Sequence, residues 1–222
     1  MDTEKDPYSI KKGFFHAHIG WILENRPVPI EKVKDLEENP ALSFQDKYYY
    51  HLFIIFGLLL PVSLGFIWDR PLGALFWGVF LRITLVHHFT YFINSLCHYV
   101  GEKPYDHKST SRDSWYISFL TFGEGFHNYH HKFQWDYRNG IRWFHFDPSK
   151  WSIWLLSRIG LAKDLKKADK FQIMKTKALD SWNQVHETLD SLPDHVKRSY
   201  QKKLGDIKIK LQNLEDSRQS AE

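Results

Sequence analysis

The chain has 222 residues, 30 Lys+Arg against 26 Asp+Glu and a formal net charge of +4, enough for one domain with a helical appendage and without the charge runs that mark a nucleic-acid partner. Its single cysteine, Cys97, excludes an internal disulfide and suits a reducing, cytosolic setting for the polar parts. An aromatic content of 17% points to a membrane interface or a large apolar pocket, and the mean hydropathy of −0.45 reflects polar ends around an apolar middle.

Residues 1–47 are polar, and the first apolar stretch is short and follows Asp2, Glu4, Lys5 and Asp6, so no secretory signal is expected. Within this region the aromatic segment 13–23 has the character of an interfacial helix that Pro27 and Pro29 end. Residues 48–68 carry no Asp, Glu, Lys or Arg and exceed the roughly 20 residues needed to cross hydrocarbon. After the tight connection Asp69-Arg70-Pro71, residues 72–97 form a second apolar segment with one formal charge, Arg82, which either snorkels or joins an ion pair. Lys and Arg crowd both flanks of this pair while the connection holds only Arg70, so both termini are expected on the cytoplasmic side.

Beyond the pair, residues 98–157 are loop-rich and aromatic. Phe171, Met174, Ala178, Trp182, Val185 and Leu189 then recur at spacings of three and four, as do Val196, Tyr200, Leu204, Ile207, Leu211 and Leu214 after the Ser191-Leu192-Pro193-Asp194 break. That pattern predicts an amphipathic helical hairpin. The expected fold is therefore all-α: an integral membrane helical hairpin with a cytosolic histidine-rich helical cap over residues 1–165, and a C-terminal amphipathic helical hairpin over 166–222.

The chemistry is concentrated in Gly123-Glu124-Gly125-Phe126-His127-Asn128-Tyr129-His130-His131. On a helix His127 and His131 share a face, while His130 points about 100° away from His131, so one segment can address two adjacent metal ions. Phe122, Phe126, Tyr129, Phe133 and Trp135 would bury the cluster, and buried imidazoles need partners. Histidine without a nearby thiol favours iron or zinc. Asn94-Ser95-Leu96-Cys97-His98 adds a second signal, with Asn94 and His98 at i and i+4. The 22 steps from Leu72 to Asn94 cover roughly 33 Å, about one hydrocarbon thickness, so both residues emerge where the histidine cluster must lie.

These segments, with Gly101-Glu102-Lys103-Pro104-Tyr105-Asp106, Trp135-Asp136-Tyr137-Arg138, Phe146-Asp147-Pro148-Ser149-Lys150-Trp151 and the N-terminal Asp6-Pro7-Tyr8 and His18-Ile19-Gly20-Trp21, closely resemble the membrane-bound Δ9 fatty acyl desaturases, the stearoyl-CoA desaturase family. The resemblance runs to about residue 160 and leaves the C-terminal helices outside it. It implies a non-haem enzyme with two iron ions that uses dioxygen and two electrons to insert a cis double bond into a saturated acyl chain. It further implies that His98, His127, His130 and His131 bind iron, that Asn94 contacts one iron through water, and that Thr90 and Tyr91 lie near the bend of an acyl tunnel. The implied partners are an acyl-CoA or acyl-lipid substrate, a cytochrome b5-like or ferredoxin electron donor, and the lipid bilayer, with no nucleic acid. The family's two earlier histidine boxes, HxxxxH and HxxHH, and its first membrane hairpin have no counterpart here. His16, His18, His51, His87 and His88 fall in none of the family's ligand positions, although His18 matches a family histidine outside the ligand set. The expectation is a C-terminal portion of a desaturase, inactive alone. A non-catalytic membrane subunit or degenerate copy, and a related membrane fatty acid hydroxylase, are the alternatives.

Overall fold

The computed structural model describes residues 6–24, 33–193, 205 and 207–210. It is helical, and among the described residues the only extended pairings are the isolated bridges of Asp113 with Glu102 and with Phe126. The chain forms two compact units, one of residues 1–103 with 108–167, the other of 104–107 with 168–222.

In the first unit, helices α1 (Tyr49–Ile67) and α2 (Pro71–Tyr99) are each long and apolar enough to cross a membrane. Their connection is a Schellman motif. Arg70 N–H donates to the Gly65 carbonyl (2.8 Å) and Asp69 N–H to that of Phe66 (3.2 Å), with Asp69 left-handed at φ 52°. Pro71 then opens α2 where its missing N–H costs nothing. Gly65 permits the close return, since a Cβ there would run into Ala74 Cβ, the Arg70 carbonyl and Pro71 Cα. Both helices contain a π-helical stretch, Phe53–Leu59 in α1 and Ala74–Leu81 in α2. Arg82 neither reaches an end of the span nor joins an acid; its guanidinium donates to the Gly57 carbonyl of α1 (2.7 Å), at the π-helical turn where that backbone is loosened.

The N-terminal segment turns through a π-helical stretch, His16–Gly20, against α2. There His18 bonds Ser95 Oγ and His88 Nδ1, both at 3.0 Å, and its ring tilts against Phe92, so this histidine is absorbed by packing. The break expected at Pro27 and Pro29 lies outside the described residues. Beyond α2 come three short helices, α3 (Ile117–Leu120), α4 (His127–Lys132) and α5 (Pro148–Arg158). Asp147 caps α5 and organises the loop before it: one oxygen accepts from Lys150 N–H (2.9 Å), the other from Asn139 and Gly140 N–H (2.8 and 2.9 Å). Lys150 is buried, and its ammonium donates to the carbonyls of Gly140, Arg142 and His145. Burial pulls its pKa down from the usual lysine value.

In the second unit, α6 (Lys170–Asp190) begins with a capping box between Asp169 and Gln172. Of the predicted apolar stripe, Phe171, Ala178, Trp182 and Leu189 are half-buried and Met174 and Val185 exposed, whereas Ile173 and Asp180, on another face, are buried. That face is held electrostatically. Asp180 accepts from His107 Nδ1 (2.7 Å) and from His107 N–H (3.0 Å), so a carboxylate marks the face that meets residues 104–107. The second helix of the expected C-terminal hairpin falls largely outside the described residues, of which 207–210 are helical.

Candidate metal centre

Three imidazoles from two separate stretches converge on one point. His127 Nε2 lies 3.1 Å from His98 Nε2 and 2.9 Å from His131 Nε2, and ligand atoms of the three residues all fall within 4.8 Å of one another. The backbone explains the meeting. Arg112 N–H donates to the Cys97 carbonyl (2.7 Å), immediately before His98, and the Arg112 carbonyl accepts from His127 N–H (3.3 Å). Residue 112 thereby clamps the end of α2 to the start of α4. The six-residue α4 has no side-chain cap of its own; Asp113 Oδ1 accepts from Tyr129 N–H (3.0 Å) and serves from 16 residues upstream. Gly125 allows this strand-like approach, because any Cβ would overlap the Ser118 backbone.

The site's polar support is specific. His98 Nδ1 meets Thr110 Oγ1 at 2.7 Å, and with the ring N–H donating there Nε2 keeps its lone pair for a cation. Asn128, fully buried, donates to the Ser111 carbonyl (3.1 Å). Tyr129 donates its hydroxyl to Asp136 (2.6 Å), which also accepts two bonds from the Arg138 guanidinium (2.9 and 2.7 Å). Burial, then the imidazoles of His131, His98 and His130, hold the His127 pKa well below the ordinary histidine value, so the ring is neutral.

The spacings test the fit to a metal. Two nitrogens at right angles around a cation about 2.1 Å away sit about 3.0 Å apart, whereas tetrahedral partners sit about 3.4 Å apart. The observed 3.1 and 2.9 Å are short enough for neighbouring nitrogens to share one cation. Neutral imidazoles facing one another nitrogen to nitrogen also repel unless a cation or proton lies between them.

His130 shares α4 but stands off, its ring centroid 6.0 Å from that of His127 and 5.8 Å from that of His131. Asn94 ends the regular part of α2, which tightens at Ser95, where His98 N–H bonds the Ser95 carbonyl (3.2 Å). The tightened turn follows from Ser95, whose hydroxyl bonds the Tyr91 carbonyl (2.9 Å). Thr90 lines a cleft of about 230 Å³ with Val86, Phe89, Ile93, Phe122 and Glu124. Tyr91 turns to the other side, edge-on to His18 and Trp21. Thr110, Arg112 and Asp113 were not visible as site residues in the sequence, because their partners lie 12 to 16 positions away with no periodic signal.

The fatty acid desaturase family model matches residues 1–154, which contain every residue of this centre. The chain belongs to the fatty acid desaturase family. Acyl-CoA desaturase 1 of Saccharomyces cerevisiae is 36% identical over 216 residues, 90% of this chain and 42% of its own length. The sn-1 stearoyl-lipid 9-desaturase of Anabaena variabilis is 38% identical over 174 residues, 77% of this chain and 62% of its own. Stearoyl-CoA desaturase 5 of Bos taurus is 36% identical over 186 residues, 80% of this chain and 55% of its own. The chain thus spans roughly half the length of these relatives. The family model ends at residue 154, in line with a resemblance to about residue 160, while 90% coverage by the yeast relative also takes in part of the region after residue 165.

Proposed function

We propose that this chain supplies the C-terminal part of a di-iron acyl desaturase that inserts a cis double bond, at Δ9, into a saturated acyl chain. The convergence of His98, His127 and His131 Nε2 atoms carries the reading. Iron with dioxygen supplies an oxidant strong enough for an unactivated methylene, which no side-chain acid or base can deprotonate. His98, His127 and His131 would hold one ion, and His130 with Asn94 would serve toward a second.

The other residues prepare the site. Thr110 fixes the His98 tautomer, and the Arg112 clamp sets the separation of the two histidine segments. Burial of His127 excludes water and keeps the ring neutral. The cleft around Thr90, Ile93 and Phe122 offers an acyl chain apolar walls beside α2. Relatives named for acyl-CoA and for stearoyl-lipid substrates match about equally, and Glu24-Asn25-Arg26 supplies a single base, so both carriers fit the reading. The electron donor would be a cytochrome b5-like protein or a ferredoxin, and the metal site and both termini would face the cytoplasm.

Three imidazoles leave about half the positions of a six-coordinate ion to other donors. The chain expressed alone in membranes should therefore hold less than two irons and form no unsaturated product. Co-expression with a polypeptide carrying HxxxxH and HxxHH boxes should raise iron toward two per chain and yield oleoyl product, and His127→Ala should abolish both. Full iron without product would support the non-catalytic subunit, a hydroxylated product the hydroxylase, and no iron under either condition would sink the metal reading.

A further inference from the structure

Aromatic rings form a connected ledge beside the end of α2. Trp115 meets Phe119 edge-on at 6.3 Å, Phe119 stacks on Phe146 at 4.5 Å, and Phe146 meets Trp151 of α5 at 5.7 Å. Along α5 exposed apolar side chains continue through Trp154 (47% exposed) and Leu155 (58%), while Lys150 is buried. A soluble helix would turn its tryptophans inward; this one turns out two rings and a leucine and buries its lysine.

Two observations say what covers the ledge. The first is continuity with the membrane pair: Ser149, in the first turn of α5, shares a cleft with Thr90 and Ile93, within the last turns of α2. This puts α5 at the depth where the second span ends. The second is the pairing of rings with arginine. Arg158 lies over the Trp154 ring (4.9 Å), an amphipathic combination suited to a boundary between acyl chains and phosphates. Tryptophan and tyrosine belts mark that boundary, and basic amphipathic helices lie in it.

We propose that this ledge and helix α5 rest on the bilayer surface where α2 leaves it, with Trp151, Trp154 and Leu155 in the headgroup-acyl boundary and Arg158 among the phosphates. The occupant is the lipid surface itself. This assignment rests on α1 and α2 crossing the membrane and not on the desaturation reading, so it stands or falls separately.

Cys97, the single cysteine, is fully buried, which leaves an introduced thiol as the labelling site. Nitroxides are placed at Trp154→Cys, Leu155→Cys and Ser152→Cys in the whole chain, reconstituted in discs of phosphatidylcholine with phosphatidylserine. Positions 152 and 154 lie about 160° apart round the helix, with 155 between them at about 60° from 152. Dissolved oxygen should relax the label at 154 more than a water-soluble nickel chelate does, the chelate should win at 152, and 155 should fall between the two. Chelate dominance at 154 and 155 would put the ledge in water, shielding from both reagents would mean a protein cover such as a second copy, and equal behaviour at all three would mean no preferred face. Any of these overturns the proposal.

Discussion

His127 sits between its two partners, so its loss removes a shared point rather than one ligand of three. His127→Ala should abolish tight binding of ferrous or cobaltous ion in calorimetry, whereas His130→Ala should leave the first ion bound. Thr110→Val keeps the shape and removes the oxygen that fixes the His98 ring. Affinity should fall about 10- to 100-fold with the ligands intact, the usual loss when an outer partner is removed. Asp136→Asn tests the support beneath α4: it strips charge from an acid that is fully buried in its side chain and paired with Arg138. A loss of about 3 kcal/mol is expected in denaturant unfolding, toward the lower end for a broken buried pair because Arg138 keeps some solvent. The histidines were legible at this scale because their spacing is short-range. The residues that aim them, Thr110, Arg112 and Asp113, were not, because they act across loops whose course no local pattern fixes.

At the scale of elements, the two apolar spans could be read closely from hydropathy, since α1 and α2 differ from the predicted segments by one or two residues at each end. The break at Ser95 could not, because a serine inside a helical pattern reads either as an exposed polar residue or as a back-bonded kink. Helix α6 was anticipated, but the contact made by Asp180 was not: an acid forms it, and hydrophobic periodicity is blind to that. The same contact is sensitive to pH. Hydrogen bonds donated to Asp180 and then to Glu187 raise the His107 pKa above its ordinary value, so the folded form favours the imidazolium. A raised folded pKa gives stability that is complete below about pH 6.5 and is lost as pH rises through the folded value. Hydrogen exchange in α6 should therefore quicken above neutrality. His107→Gln should flatten that dependence while leaving metal affinity unchanged, and an unchanged pH profile in the variant would refute the clasp.

For the whole molecule, an all-helical membrane fold with a histidine-rich cap was recoverable from the sequence, because composition and motif spacing agreed on it. The division into units was less so: residues 104–107 group with 168–222 although they sit between His98 and His127 in the chain. Only a long-range pair such as His107 with Asp180 makes that grouping, and the sequence offers no rule for it.

The widened turn at Ala74–Leu81 lies upstream of everything that α2 delivers to the centre. Each such turn absorbs an extra residue relative to a regular helix, so the angular phase of Thr90, Asn94 and His98 depends on its persistence. Removing one residue there, Gly78 for instance, while the turn closes to 3.6 residues would leave Thr90, Asn94 and His98 in phase, whereas removing one from the regular turns of Arg82–Asn94, Leu85 for instance, would rotate what lies beyond it by about 100°. Length, hydropathy and insertion would hardly change in either case, yet only the second would swing His98 away from His127. The first deletion should thus spare metal binding and the second silence it, a contrast that no substitution at the histidines reproduces.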